Sequence, residues 1–194
     1  MNVLAVFRLP LLLSDQREMI LQDVRRWREL TGMVDSSELI CLLRLLCKNL
    51  QFRSVYFYRV QQGNLAARAA RRAVSLLYRS RESLYIYAIE GIGPGLYIEH
   101  GFSTIIDAKR IGANAYINQQ VTVGYRHDDV GHPVIGDNVR IGAGAKVLGG
   151  ITLGNNVTVG ANAVVVKDVP ANCVVVGVPA RIVRRKGVRV IERL

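Results

Sequence analysis

The strongest constraint on this chain is a period of six. Aliphatic residues stand at Ile111, Ile117 and Val123 and resume in the same register at Ile135, Ile141, Val147, Leu153, Val159 and Val165. The residue after each is small in most units, as at Gly112, Gly136, Gly142 and Gly154. The fourth is small or β-branched, from Ala115 and Val121 through Ala145 to Val169. A helix repeats every 3.6 residues and a strand every two, so neither explains the pattern. A short repeat held this long marks stacked coils of a parallel β-helix, in which three hexads close one triangular turn. The aliphatic positions then form a continuous buried column. Looser units begin at Ile92 and Ile98, and the seven-residue step from Ile98 to Ile105 marks one irregular coil. The prism is expected from about Ile92 to Val176. Its glycines are expected at tight corners, where freedom at positive φ is useful.

The residues before Glu90 follow a helical grammar instead. Ser14-Asp15 followed by Glu18 reads as a capping box, with Met19, Ile20, Val24 and Trp27 on one face and Gly32 as the stop. Ser36 or Ser37 can cap a second helix carrying Leu39, Ile40, Leu43, Leu46 and Cys47. An aromatic and basic segment covers Phe52 to Val60, and a last helix is expected from Leu65 to about Tyr87. The fold class is therefore α+β. A helical N-terminal domain covers residues 1–90, a β-helix domain 91–178 and a short basic tail 179–194.

Composition narrows the function classes. A net charge of +11 favours polyanions without choosing among them. No groove-reading motif accompanies it, so nucleic acid is not expected as a partner. The arginine-rich last helix could touch an anionic membrane surface, but a solvated face on a packing helix is the plainer reading. No apolar run reaches the roughly 18 residues of a spanning helix. Val3 to Leu13 lacks the marks of a signal peptide. Cys41, Cys47 and Cys173 are too few for a disulfide framework, so a cytoplasmic location is expected. No His or Asp cluster has the spacing of a metal site.

The period is interrupted once, between Gly124 and Val134. The polar segment from Tyr125 to Pro133 must leave the prism, and it holds two of the chain's three histidines, His127 and His132. The third, His100, follows Glu99 at the irregular coil. A neutral imidazole can take a hydroxyl proton near pH 7, and a carboxylate can hold its tautomer. No nucleophilic Ser–His or Cys–His pairing is signalled, so the set fits direct acyl transfer without an acyl-enzyme. His127 and the Asp128-Asp129 pair read better as solvated loop residues.

The stretches Ile141-Gly-Ala-Gly-Ala-Lys-Val147, Val159-Gly-Ala-Asn-Ala-Val164 and Gly177-Val-Pro-Ala-Arg181 resemble the hexapeptide-repeat acyltransferases. That resemblance implies a left-handed β-helix. The helical part before the prism and Gly131-His132-Pro133 are similar to the serine O-acetyltransferase branch. The resemblance implies an acetyl-CoA-dependent enzyme with His100 as general base, His132 beside the acceptor or intermediate, and Glu99 orienting an imidazole. It implies a coenzyme A site at Ala143, Ala161, Lys167, Arg181 and Arg184, and acceptor contacts at Asn118. It also implies a homotrimer, or a hexamer joined through the helices. The branch carries Arg before the loop histidine, where this chain has Gly131, so Arg126 or Arg25 would have to grip a serine carboxylate. The chain ends in Leu194 where the branch that docks cysteine synthase has Ile, which counts against that partner. A sugar hydroxyl of a surface polysaccharide is the alternative acceptor. A non-catalytic prism is the competing class, and the His-bearing loop favours an enzyme over it.

Overall fold

The computed structural model describes residues 8–33, 37–77, 83–126 and 131–194. The chain forms two compact units, Met1–Glu82 and Ser83–Leu194.

In the first unit the described helices are α1 (Arg8–Leu13), α2 (Arg17–Leu30), α3 (Glu38–Lys48), α4 (Leu50–Gln62) and α5 (Leu65–Leu77). Trp27 packs edge-on against Phe52 with ring centroids 5.3 Å apart. Leu42, Leu46, Val55 and Tyr56 complete the buried core. Inside it Arg59 is paired with Asp23 at 2.8 Å. Arg53 donates to the Leu46 carbonyl at 2.7 Å. Three expectations change. The Ser14 hydroxyl accepts from Gln16 N–H, and α2 starts later without a side-chain cap; Glu18 pairs with Arg25 instead of closing a capping box. Ser37 does cap α3, but the buried face is Cys41, Leu42, Leu45 and Leu46, with Leu39 and Ile40 exposed. Helix α5 is described only to Leu77, and Leu84–Ala88 is a strand; β-branched and aromatic residues outcompete helical propensity once a sheet edge is there to pair with. Ser36, Arg79 and Arg81 lie outside the described residues. No described helix is long and apolar enough to cross a membrane.

The second unit is the parallel β-helix. Strands β1 (Leu84–Ala88), β3 (Thr104–Ala108), β6 (Thr122–Gly124), β9 (Lys146–Leu148) and β12 (Val164–Val165) stack as a first face. β4 (Arg110–Ile111), β7 (Val134–Ile135) and β10 (Thr152–Leu153) form a second face. The third face stacks β2 (Tyr97–Ile98), β5 (Tyr116–Ile117), β8 (Arg140–Ile141), β11 (Thr158–Val159) and β13 (Cys173–Val176). Every aliphatic position of the period from Ile111 to Val165 is buried, as are Ala115, Val121, Val139, Ala145, Val157 and Ala163. The prism begins at Leu84, before the first hexad legible in the sequence. The residues read as a tail form two antiparallel strands, β14 (Arg181–Arg185) and β15 (Val188–Arg193), which extend the third face.

Two register expectations are corrected. The inward residue of the irregular coil is Ile106, fully buried, while Ile105 is 49% exposed. The step from Ile98 is therefore eight residues, absorbed in a corner where His100, Gly101 and Ser103 all take positive φ. The glycines after the aliphatic positions do not serve a left-handed corner. Positive φ occurs two residues later, at Asn114, Asn138, Asn156 and Asn162, and asparagine tolerates it best among residues with a side chain. Gly142 and Gly154 are required by close approach: a Cβ on Gly142 would lie 2.7 Å from the Ala161 nitrogen in the next coil.

Candidate active site

Stacking sorts the candidate residues by edge of the prism. Glu99 and His100 follow β2 and precede β3, at the edge joining the third face to the first. Parallel pairing of Tyr97 with Tyr116 and of Ile98 with Ile117 places Asn118 in the next coil at the same edge. The Asn118 amide nitrogen donates to the Ile141 carbonyl at 3.0 Å. Pairing of Ile117 with Ile141 and of Ile141 with Val159 continues the column through Ala143 to Ala161. Five candidates thus line one edge: Glu99, His100, Asn118, Ala143 and Ala161.

Glu99 is held from the coil above. The Tyr116 hydroxyl donates to its Oε2. Arg140 lies over the Tyr116 ring, 4.4 Å from the centroid, and Tyr97 stacks beneath at 5.0 Å. Burial, and then the hydrogen bond to Glu99, push the Tyr116 hydroxyl up to about 12. Burial and Glu99 also raise Tyr97. This ladder of outward residues was not singled out in the sequence; its signal was the shared register of Tyr97, Tyr116 and Arg140.

His132 sits at a different edge, between β6 and β7, where the first face meets the second. Its Nε2 lies 3.5 Å from Asp107 Oδ1, with the two side chains 23% and 21% exposed. The Tyr125 ring packs on the imidazole with centroids 5.4 Å apart. The carboxylate beside a histidine here is Asp107, which no sequence motif marked. The strand Thr104–Ala108 separates this edge from His100, roughly 13 Å at the usual rise per residue. Arg126 is exposed at the start of the loop. His127, Asp128 and Asp129 lie outside the described residues. Arg25, the other cation considered for a carboxylate, belongs to the helical unit and is paired with Glu38 at 2.6 Å and Glu18 at 3.0 Å.

The basic candidates divide between two places. Lys167 and Arg181 line a cavity of about 320 Å³ together with Val166, Pro179, Ala180 and Arg193. Lys167 Nζ donates to the Leu194 carbonyl at 2.8 Å. Arg193 was not anticipated; it reaches the cavity because β15 folds back and pairs it with Arg181. Arg184 lies at the other end of β14 in a second hollow with Asn156, Asn172 and Lys186. Arg181 and Arg184 therefore line different hollows. Among the described residues no three His, Cys, Asp or Glu side chains converge as a metal centre.

Residues 132–167 match the family described as bacterial transferase hexapeptide (six repeats). Serine acetyltransferase from Synechococcus elongatus is 43% identical over 122 residues, covering 61% of this chain and 50% of that protein. The Staphylococcus aureus serine acetyltransferase is 46% identical over 124 residues, covering 62% and 58%. The chain thus spans about half the length of the curated relatives it matches. Among solved structures, soybean serine acetyltransferase aligns with a TM-score of 0.65 at 35% identity, covering 86% of this chain and 68% of that one. The Neisseria gonorrhoeae serine acetyltransferase aligns with a TM-score of 0.65 at 30% identity, covering 89% and 67%. The hexad register, the helical unit before it, the loop ending in His132 and this likeness across both units agree: the chain belongs to the hexapeptide-repeat acyltransferases, in their serine acetyltransferase branch.

Proposed function

We propose that this protein is an acetyl-CoA-dependent O-acetyltransferase that transfers the acetyl group directly to a hydroxyl, with L-serine as acceptor. The observation that carries the reading is the imidazole of His132 held against Asp107 at the one loop that interrupts the prism. A neutral imidazole takes the hydroxyl proton as the oxygen attacks the thioester carbonyl. The tetrahedral oxyanion is stabilised by N–H donors. Its collapse breaks the C–S bond, and the imidazolium returns the proton to the leaving thiolate. Lys167, Arg181 and Arg193 supply cations for the phosphates of coenzyme A. Ala143 and Ala161 leave the edge between the third and first faces low enough for the pantetheine arm. Serine as acceptor is supported by the relatives' names and by a soybean serine acetyltransferase solved in complex with serine, 35% identical to this chain. One observation favours a sugar hydroxyl instead: Gly131 stands where the branch carries an arginine, so no guanidinium stands immediately before His132.

The two imidazoles flank the first face on opposite edges, and that face is apolar outward at Tyr85, Tyr87 and Ile105. Packing prisms as a trimer brings the His100 edge of one protomer to the His132 edge of the next, and each site is then shared. His100→Ala and His132→Ala are each expected to lower kcat by roughly 10²–10⁴. Mixed trimers refolded from equal amounts of the two variants should recover about a quarter of wild-type activity, because one interface in four pairs two intact histidines. Mixtures that stay as inactive as the parents would refute the shared site. Undiminished turnover in both single variants would refute the mechanism.

A further inference from the structure

We propose that helix α5, together with the end of α1, is a membrane-surface contact that seats exposed leucines in an anionic bilayer while Arg68 and Arg72 meet its phosphate headgroups. This goes beyond the acyl-transfer reading and does not depend on it.

Helix α5 (Leu65–Leu77) carries Arg68, Arg71 and Arg72 and no acidic residue. A helix that only packs on a core turns its large apolar side chains inward and its charges outward. The side chains buried on α5 are the small Ala67, Ala70 and Val74. Its leucines go the other way: Leu65 is 75% exposed and Leu76 is 86% exposed. At 3.6 residues per turn, Leu65, Ala69, Arg72 and Leu76 fall on one line along the helix, opposite the buried residues. Arg68 stands on one flank of that line and Ala66 and Ala73 on the other, all exposed. Arg71 takes no part, since its guanidinium lies over the Phe57 ring. The two leucines are roughly 16 Å apart along the axis, with both exposed arginines between them.

The junction with α1 (Arg8–Leu13) enlarges this surface. Asn64 caps α5, its Oδ1 accepting from Ala67 N–H at 2.9 Å. The same side chain donates to the Leu13 carbonyl at 2.8 Å, and Asn64 N–H donates to Asp15 Oδ1 at 3.0 Å. The end of α1 is thereby fixed beside the first turn of α5. Leu9, Leu12 and Leu13 are exposed as well, so apolar side chains gather where the two helices meet.

Charge and shape select the occupant. A second copy of α5 would set Arg68 and Arg72 against their own counterparts, with no acid on the helix to separate them. A protein partner needs a pocket for its anchors, and the outer line of a single helix is convex. A bilayer surface needs no pocket. Leucines enter the boundary between headgroups and acyl chains, and arginine stems lie along it with their guanidiniums at the phosphates. No described helix is long and apolar enough to cross a membrane; α5 lies on the surface.

The experiment is sedimentation of the full chain with vesicles of phosphatidylcholine, with and without phosphatidylglycerol. Binding should require the anionic lipid. Arg68→Gln/Arg72→Gln should weaken it by roughly 10–30-fold, and Leu65→Gln/Leu76→Gln by about 10-fold or more. The net charge is +11, so the control is Arg17→Gln/Arg110→Gln, which removes the same charge at exposed positions elsewhere and should change binding little. The melting curve of the leucine variant should match the wild type, because neither side chain is packed. No binding to the anionic vesicles overturns the proposal, as does a control that loses as much binding as the α5 variants. A lower melting temperature in the leucine variant, or smaller assemblies by light scattering with normal vesicle binding, would show that protein covers these leucines and would overturn it too.

Discussion

Replacing Gly154 by alanine tests the coil-to-coil packing that defines the prism. The new Cβ would lie 2.5 Å from Ala171 N, 2.8 Å from Ala171 Cα and 3.1 Å from Ala171 Cβ. Two of these atoms are backbone, so no rotamer change relieves the contact; the coils must separate by several tenths of an ångström. Two ladder bonds resist that movement, Gly154 N–H to Val169 O and Asn172 N–H to Asn155 O, each 2.9 Å. Overpacking of this kind costs about 1–3 kcal/mol, and a strained backbone hydrogen bond adds roughly 0.5–1.5 kcal/mol. The φ of Gly154 is not left-handed, so alanine gains roughly 0.4–1 kcal/mol by restricting the unfolded chain. The net is a loss of about 1–3 kcal/mol, or roughly 2–10 °C in the melting temperature of a chain this size. Circular dichroism melts would measure it. Gly124→Ala is the control: its Cβ meets nothing within 4 Å, and its melting temperature should hold or rise slightly. A Gly154→Ala protein as stable as the Gly124→Ala protein would refute the close-approach explanation of the glycine column.

Further outcomes follow from individual residues. Ala145 is fully buried and inward, so Ala145→Glu places an unpaired carboxylate in the prism at a cost of several kcal/mol; an unchanged melting curve would show the register to be wrong. Asp23→Ala strands Arg59 in the helical core, where the pair is 2.8 Å apart, and should destabilise that unit by about 3–5 kcal/mol. The chain has one tryptophan, and Trp27 fluorescence against urea reads that unit alone; an unshifted midpoint would contradict the buried pair. The Tyr116 hydroxyl is pushed up to about 12 by burial and by Glu99. The fold thus favours its neutral form, a stability contribution complete below the usual tyrosine value and lost as pH rises through the shifted one. Tyr116→Phe should remove a tyrosinate absorbance step near pH 12; a titration curve unchanged in that range would contradict the Glu99 contact.

The period of six made most of the second unit legible, because a buried aliphatic column leaves a strict mark on sequence. It failed where that mark is weak. Among the described residues the strand Leu84–Ala88 pairs with Thr104–Ala108 alone, and in the sequence it follows a helix-forming run, so its alternation was absorbed into the helix before it. In the irregular coil Ile105 and Ile106 are equally aliphatic, and only the three-residue left-handed corner decides that Ile106 turns inward. The loop histidine stood out in the sequence because its segment breaks the period. Asp107 was missed because it does not: an outward acidic residue on a hexad strand is ordinary in sequence, and its meaning comes from the coil stacked beside it. Arg193 was missed for a related reason, since only the antiparallel return of β15 carries it to Lys167 and Arg181. The α3 face was misassigned because five of its apolar residues and the four that are buried overlap only at Leu46 within the described helix, a leucine-rich segment being apolar nearly all round.

The central claim is acetyl transfer from acetyl-CoA to a hydroxyl, with serine as the acceptor. Its most direct test is release of free coenzyme A from acetyl-CoA by the purified chain in the presence of L-serine, with the product identified by mass. The account predicts serine-dependent thiol release and O-acetylserine, abolished in His132→Ala. Thiol release only with a sugar acceptor would move the acceptor and keep the chemistry. No acceptor-dependent release with serine or with any of a panel of sugars would contradict the account.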